Sequence, residues 1–124
     1  MIDYIFLLIE FFIYLFISII FHEIGHLLYM QKLYPNRKIK IKTYYNDLRD
    51  LGFMVGKQKD YDDMTNKQYF MTNFFGIIGG LMFIIFGTYL INPYISFLVV
   101  PYLFGSFHDI KEMYKAWKEG LHND

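Results

Sequence analysis

Within five positions of the first apolar segment the chain places His22-Glu23-Ile24-Gly25-His26, in surroundings that are otherwise almost all Ile, Leu, Phe and Tyr. On a helix, His22 and His26 are four residues apart and lie one above the other, so both imidazoles can grip one metal ion. Glu23 is rotated by about 100° and reaches water beside that metal. Two histidine ligands and a carboxylate base are the working parts of a zinc hydrolase. The plainer alternative is that the histidines bond to neighbouring helices. Against it, ionisable groups at membrane depth are expensive and by default mark function.

The elements that must position these residues follow from composition and hydropathy. The 124 residues make one domain, and 55% hydrophobic with 22% aromatic residues is more apolar surface than a chain of this size hides in water. Cysteine is absent, so thiolate metal sites and disulfides are excluded and His, Asp and Glu remain as ligands. The net charge is zero and no basic cluster alternates with exposed aromatics, which argues against nucleic-acid binding. The N-terminus lacks the basic region of a signal peptide, and its apolar run continues through the histidines where a cleavage site would fall. The expected fold is an all-α membrane protein of three transmembrane helices, over about 4–30, 69–91 and 94–110, with a small β-hairpin-like segment inside the loop 31–68. Glycines 76, 79, 80 and 87 would let the second helix approach a neighbour closely. Asn92-Pro93 would form a tight turn, and Pro101 would kink the third helix.

Loop charges set an expected orientation. Nine Lys or Arg against five Asp lie between the first two spans, so the positive-inside rule puts loop 31–68 and the C-terminus in the cytoplasm and the N-terminus outside the cell membrane. Within the loop, Lys38-Ile39-Lys40-Ile41-Lys42-Thr43-Tyr44 alternates with strand period, and the run 51–56 could pair with it. Such a hairpin either rests on the membrane surface or offers an edge to an extended substrate.

A catalytic zinc needs a third protein ligand. Counted from the outer face, His22 lies about 18 residues in and Asp109 about 15 residues after Tyr94, depths within roughly 5 Å of each other. Asp109 is the leading candidate, with His108 and Glu112 as competitors. His108 and Asp109 are about 100° apart and cannot easily both bind unless the helix breaks there. Asn73, near the start of the second span, either stabilises an oxyanion or bonds between helices. Glu10 lies roughly 18 Å up the helix from His22, too far for chemistry. Trp117 and the tyrosines read as interfacial anchors. Zincins with a further ligand ten residues after the first histidine do not fit, because that position is Lys32.

With these residues in place, the chain resembles the site-2 protease family of zinc intramembrane proteases. His22-Glu23-Ile24-Gly25-His26 matches that family's first motif in full, Asp109 matches its aspartate by position, and residues 75–80, Phe-Gly-Ile-Ile-Gly-Gly, are loosely similar to its glycine-rich stretch. The resemblance covers nearly the whole chain. It departs around Asp109, where Ile110 stands in place of the family's glycine and the nearest proline is Pro101, which points to a small divergent branch. It implies a Zn²⁺ held by His22, His26 and Asp109, with Glu23 as general base and His108 and Asn73 as accessory candidates. The expected activity is endoproteolysis of a membrane-inserted segment or short hydrophobic peptide, with the lipid bilayer as surroundings. A membrane metal-binding or metal-transport protein is the rival, and no residue pattern specifies an oligomeric state.

Overall fold

The computed structural model describes residues 2–47 and 50–120. Its chain order is α1 (Ile2–Leu33), β1 (Ile41–Asp47), β2 (Asp50–Val55), a short α2 (Gln58–Asp62), α3 (Asn66–Leu90), a 3₁₀ segment (Pro93–Leu98), α4 (Val99–Gly105) and α5 (Phe107–Lys118). The molecule is therefore mostly helical with one small sheet. Two of its helices, α1 and α3, are long and apolar enough to cross a membrane. In the most apolar stretch of α1 only 6% is buried inside the protein. Tyr4, Phe6, Leu8 and Phe12 are all more than half exposed, a surface suited to lipid and costly in water.

Local sequence explains where α3 begins and ends. Thr65 caps its start: the threonine hydroxyl accepts from the Gln68 N–H, and the Gln68 side chain accepts in return from the Thr65 N–H. At the other end the N–H groups of Ile91 and Asn92 both close on the Gly87 carbonyl. The Asn92 side chain then accepts from Tyr94 N–H, and Pro93 opens the 3₁₀ turn, giving the tight reversal expected at Asn92-Pro93.

The third segment corrects the expectation of one helix over 94–110. Residues 93–105 form an apolar stretch of 3₁₀ followed by two turns of α-helix, roughly 22 Å of rise against a hydrocarbon core of about 30 Å. A new helix starts beyond Ser106 and runs on to Lys118. Pro101 produces no kink, because it falls in the first turn of α4, where N–H groups have no intrahelical partner. The break lies at Gly105-Ser106 instead, a pairing at which helices commonly bend. Along α5 the exposed Phe107, Ile110, Tyr114 and Trp117 recur at helical spacing on one face, so Trp117 and its neighbours form the aromatic band of an amphipathic helix.

α1 and α3 approach backbone to backbone. A Cβ at Gly25 would collide with the Phe75 carbonyl, and one at Gly79 with that of Phe21, so these glycines fix the crossing. Phe21 stacks on Phe83 and Tyr29 on Phe75 to either side of it. Two apolar clusters flank the crossing. One joins Ile84, Ile95, Leu98 and Tyr102 with Phe11, Tyr14 and Leu15 of α1. The other joins Met30 at the far end of α1 with Ile39 and Val55 of the loop.

The hairpin expected between the spans is present. β1 and β2 pair antiparallel, Ile41 opposite Val55 and Thr43 opposite Phe53, with an irregularity after Tyr45. It does not lie flat across the end of α1. Val55 packs with Met30 while the Phe53 ring comes within 6.4 Å of Phe16, so the hairpin stands alongside α1. Gly56 ends β2 with φ of 75°, a conformation that favours glycine. Beyond it, Asp60 ties the loop together. Its carboxylate accepts from Lys57 N–H (2.8 Å) and from Arg37 (2.7 Å), while the Tyr34 hydroxyl donates to its carbonyl (2.8 Å).

The Lys57 amide, followed by the Arg37 guanidinium, holds the Asp60 carboxyl below its usual range. The unfolded chain therefore binds a proton first as pH falls, so the stabilisation from Asp60 is full above about pH 4 and is lost below it. In thermal unfolding of wild type and Asp60→Asn, the gap between the two melting temperatures is expected to be widest at pH 6 and to shrink as pH approaches 3. A gap independent of pH would show that the carboxylate charge contributes nothing.

Candidate metal centre

The close approach of α1 and α3 brings His22 and His26 into contact with the third segment. His22 Nε2 lies 2.5 Å from Asp109 Oδ2, His26 Nε2 lies 3.0 Å from the same oxygen, and the two Nε2 atoms are 3.0 Å apart. Both histidines are 7% exposed and Asp109 is half-buried. Three groups from the two ends of the chain thus converge on one point, and among the described residues this is a group able to hold a metal ion.

The outer nitrogens determine what the inner ones can do. His26 Nδ1 is 2.7 Å from the Thr72 carbonyl, which can only accept, so Nδ1 carries the proton. His22 Nδ1 is 2.8 Å from the Tyr102 hydroxyl, whose single hydrogen is directed to the carbonyls of Ile77 (2.9 Å) and Gly76 (3.2 Å). With its hydrogen on those carbonyls, the Tyr102 oxygen accepts from His22 Nδ1–H. Both Nε2 lone pairs are left facing the carboxylate oxygen. In that tautomer three acceptors face one another, and their repulsion is relieved by a proton or a metal cation held between them. Two neutral imidazoles, each with its outer nitrogen tied down, and a carboxylate are the usual donor set of a catalytic zinc site. The triangle is slightly tighter than the roughly 3.3 Å edges that zinc bonds of about 2.0–2.1 Å would give, a difference that a few tenths of an ångström of side-chain movement removes.

Glycine makes this packing possible. A Cβ at Gly76 would overlap the His26 ring, and one at Gly80 would overlap the Tyr102 hydroxyl. The residues 75–80 thus serve as a seat for the histidine and for the tyrosine that orients its partner. Tyr102 was not anticipated from the sequence, because the break at Ser106 separates its helix from the one that carries Asp109.

Glu23 is not among the three converging groups. It lines, with His26 and Asp109, a cavity of about 750 Å³ whose other walls include Phe53, Met54 and Val55 of β2, Tyr61, and Asn73 of α3. Burial, with the carboxylates of Glu23 and Asp109 nearby, pushes the Tyr61 phenol well above its usual range. Its hydroxyl therefore stays protonated and donates to the Val55 carbonyl (2.7 Å). Val55 thus turns its backbone groups outward from the sheet, and the same alternation turns those of Phe53 outward as well. This edge of β2 adjoins the cavity.

The other candidates fall in different places. His108 is exposed on the cavity wall, outside the triangle. The chain does break close by, but at Ser106, upstream of both residues, so His108 and Asp109 stay on one continuous turn and only Asp109 meets the histidines. Glu112 is engaged by the Tyr69 hydroxyl (3.2 Å). Asn73 lies on the cavity wall outside the triangle, and its amide N–H donates to the Tyr69 carbonyl within its own helix (3.0 Å). Glu10 lines a separate apolar pocket with Asn92 and Tyr94. In comparisons with protein-family models, curated proteins and solved structures, nothing matches this chain.

Two expectations follow for metal titration of purified protein. Asp109→Ala should abolish stoichiometric zinc binding, whereas His108→Ala should leave it intact. Tyr102→Phe removes the acceptor for His22 Nδ1–H and should weaken zinc affinity by about 10- to 100-fold, the usual cost of losing a group that orients a ligand. Unchanged affinity in Tyr102→Phe would mean that His22 is held by packing alone.

Proposed function

We propose that the protein is a zinc-dependent intramembrane endopeptidase similar to site-2 proteases, cleaving a membrane-inserted segment or a short hydrophobic peptide. The observation that carries this reading is the convergence of His22, His26 and Asp109 on one point, with Glu23 on the wall of the same cavity. Zinc bound by His22 Nε2, His26 Nε2 and Asp109 Oδ2 would polarise a peptide carbonyl as a Lewis acid and lower the pKa of water beside it. Glu23 supplies the base. Its carboxylate takes a proton from the attacking water and returns it to the leaving nitrogen as the C–N bond breaks. Asn73, on the wall of the same cavity, would turn its amide to hold the substrate carbonyl oxygen.

An extended substrate has a place to bind. The outward backbone of β2 around Phe53 offers N–H and C=O groups beside the cavity, and strand addition there would hold a peptide open. That matters because a helical peptide bond is shielded by its own hydrogen bonding. In this reading α1 and α3 cross the bilayer, residues 93–105 together with the first turn of α5 complete a third crossing, and the loop and C-terminus face the cytoplasm. The rival, a membrane protein that binds or transports metal without cleaving anything, shares the ligands but has no use for Glu23.

The test is Glu23→Gln, which keeps side-chain size and both histidines. Zinc content is expected to persist while cleavage of a reporter carrying a membrane segment falls by about 10²- to 10⁴-fold. Chelation should abolish cleavage by wild type and zinc should restore it. Full processing by zinc-loaded Glu23→Gln would overturn the assignment of Glu23 and the proposed reaction.

A further inference from the structure

A second cavity, of about 420 Å³, lies on the other side of the hairpin from the metal centre and is lined by Arg37, Lys38, Lys40, Lys42, Lys57 and Asp60. The strand period produces it. Ile39 is buried with Met30 and Val55 and Ile41 packs against that cluster, so Lys38, Lys40 and Lys42 fall together on the opposite face and are all exposed. The turn at Gly56 brings Lys57 to the same rim, where the Gly56 N–H closes on the Lys40 carbonyl (2.9 Å). Asp60 is the acidic group in the wall, and it is already bonded to Arg37 and to the Lys57 backbone. Among the residues whose side chains are described, no ion pair joins these four lysines to a carboxylate, and Lys57 acts on Asp60 only at longer range. A concave site with four lysines, beside an Arg37 already paired with Asp60 and Asp63, favours a multivalent oxyanion ligand.

We infer that this cavity binds a phosphate group, supplied by the headgroup of an anionic phospholipid. Position selects the lipid over a soluble phosphate. Arg37 follows the end of α1 by four residues, and the hairpin that carries the lysines stands along a helix whose surface is suited to acyl chains. The site is thus placed at a bilayer interface, with an apolar surface beside it to receive the tails. Lysine stems also suit such a place, since they can lie along apolar surface while the ammonium groups reach the phosphates.

The experiment is titration of the detergent-solubilised full chain with short-chain phosphatidylglycerol, short-chain phosphatidylcholine or inorganic phosphate, read by thermal shift and native mass spectrometry. Phosphatidylglycerol is expected to bind and raise the melting temperature, and phosphatidylcholine to do neither. Each lysine near an anionic headgroup is worth roughly fivefold, so Lys38→Gln/Lys40→Gln/Lys42→Gln should weaken phosphatidylglycerol binding by about 100-fold. Zinc content of the same variant, expected unchanged, shows that it is folded. A response to inorganic phosphate without one to the lipid would overturn the lipid assignment. Equal binding of both lipids, or undiminished binding by the folded triple variant, would overturn the site itself.

Discussion

Two imidazole lone pairs and a carboxylate oxygen meet within 3.0 Å of one another, and much of the chain serves to make that meeting tolerable. Polar groups in apolar surroundings are retained only when each is paired. Here the outer nitrogen of each histidine has a partner: the Thr72 carbonyl for His26, the Tyr102 hydroxyl for His22, and the carbonyls of Ile77 and Gly76 for the tyrosine in turn. These partners come from α3 and α4, so the histidines are oriented only when α1, α3 and the third segment are docked together. Glycine at four places, 25, 76, 79 and 80, removes the side chains that would keep them apart. Folding of the helices and construction of the site are consequently one event.

What the sequence made legible was whatever depends on spacing along a single element. The four-residue interval of His22 and His26, the alternation of Ile39 and Ile41 with lysines, and the apolar lengths of α1 and α3 each carry their own period. Asp109 could be inferred because depth along a helix is simple arithmetic. The division of the third segment was not legible in the same way. Apolar content extends a predicted helix across Gly105-Ser106 without registering the bend, and Pro101 drew attention to a position where proline is harmless. Tyr102 was hidden for a different reason: an orienting group is defined by the ring it touches, and no interval in the chain advertises that contact. Asn73 was likewise placed at the correct depth, while its bond to Tyr69 depends on a side-chain rotamer.

The hairpin has two chemically different sides. Ile39, Ile41 and Val55 secure it to the end of α1, and the outward edge at Phe53 looks toward the cavity that holds Glu23. Its lysines gather on the face away from both. Non-helical backbone at membrane depth is tolerated only where protein or water satisfies it. A strand pair with polar cavities on two sides meets that condition. The same arrangement places Glu23 on an open cavity while α1 and α3 present apolar surfaces outward.

One feature of α5 ties the metal centre to its surroundings. Asp109 occupies the first turn of a helix whose opposite stripe, Phe107, Ile110, Tyr114 and Trp117, is exposed and aromatic. A band of this kind seeks the boundary between headgroups and acyl chains, whereas His22 and His26 are fixed deep on α1. The separation between ligand and ligand is therefore set partly by where that boundary lies. Hydrophobic mismatch of a few ångströms, small for a long helix that can tilt, would fall directly on the corner that α5 contributes. In the proposed membrane setting, bilayer thickness would thus bear on how closely the three groups of the triangle meet.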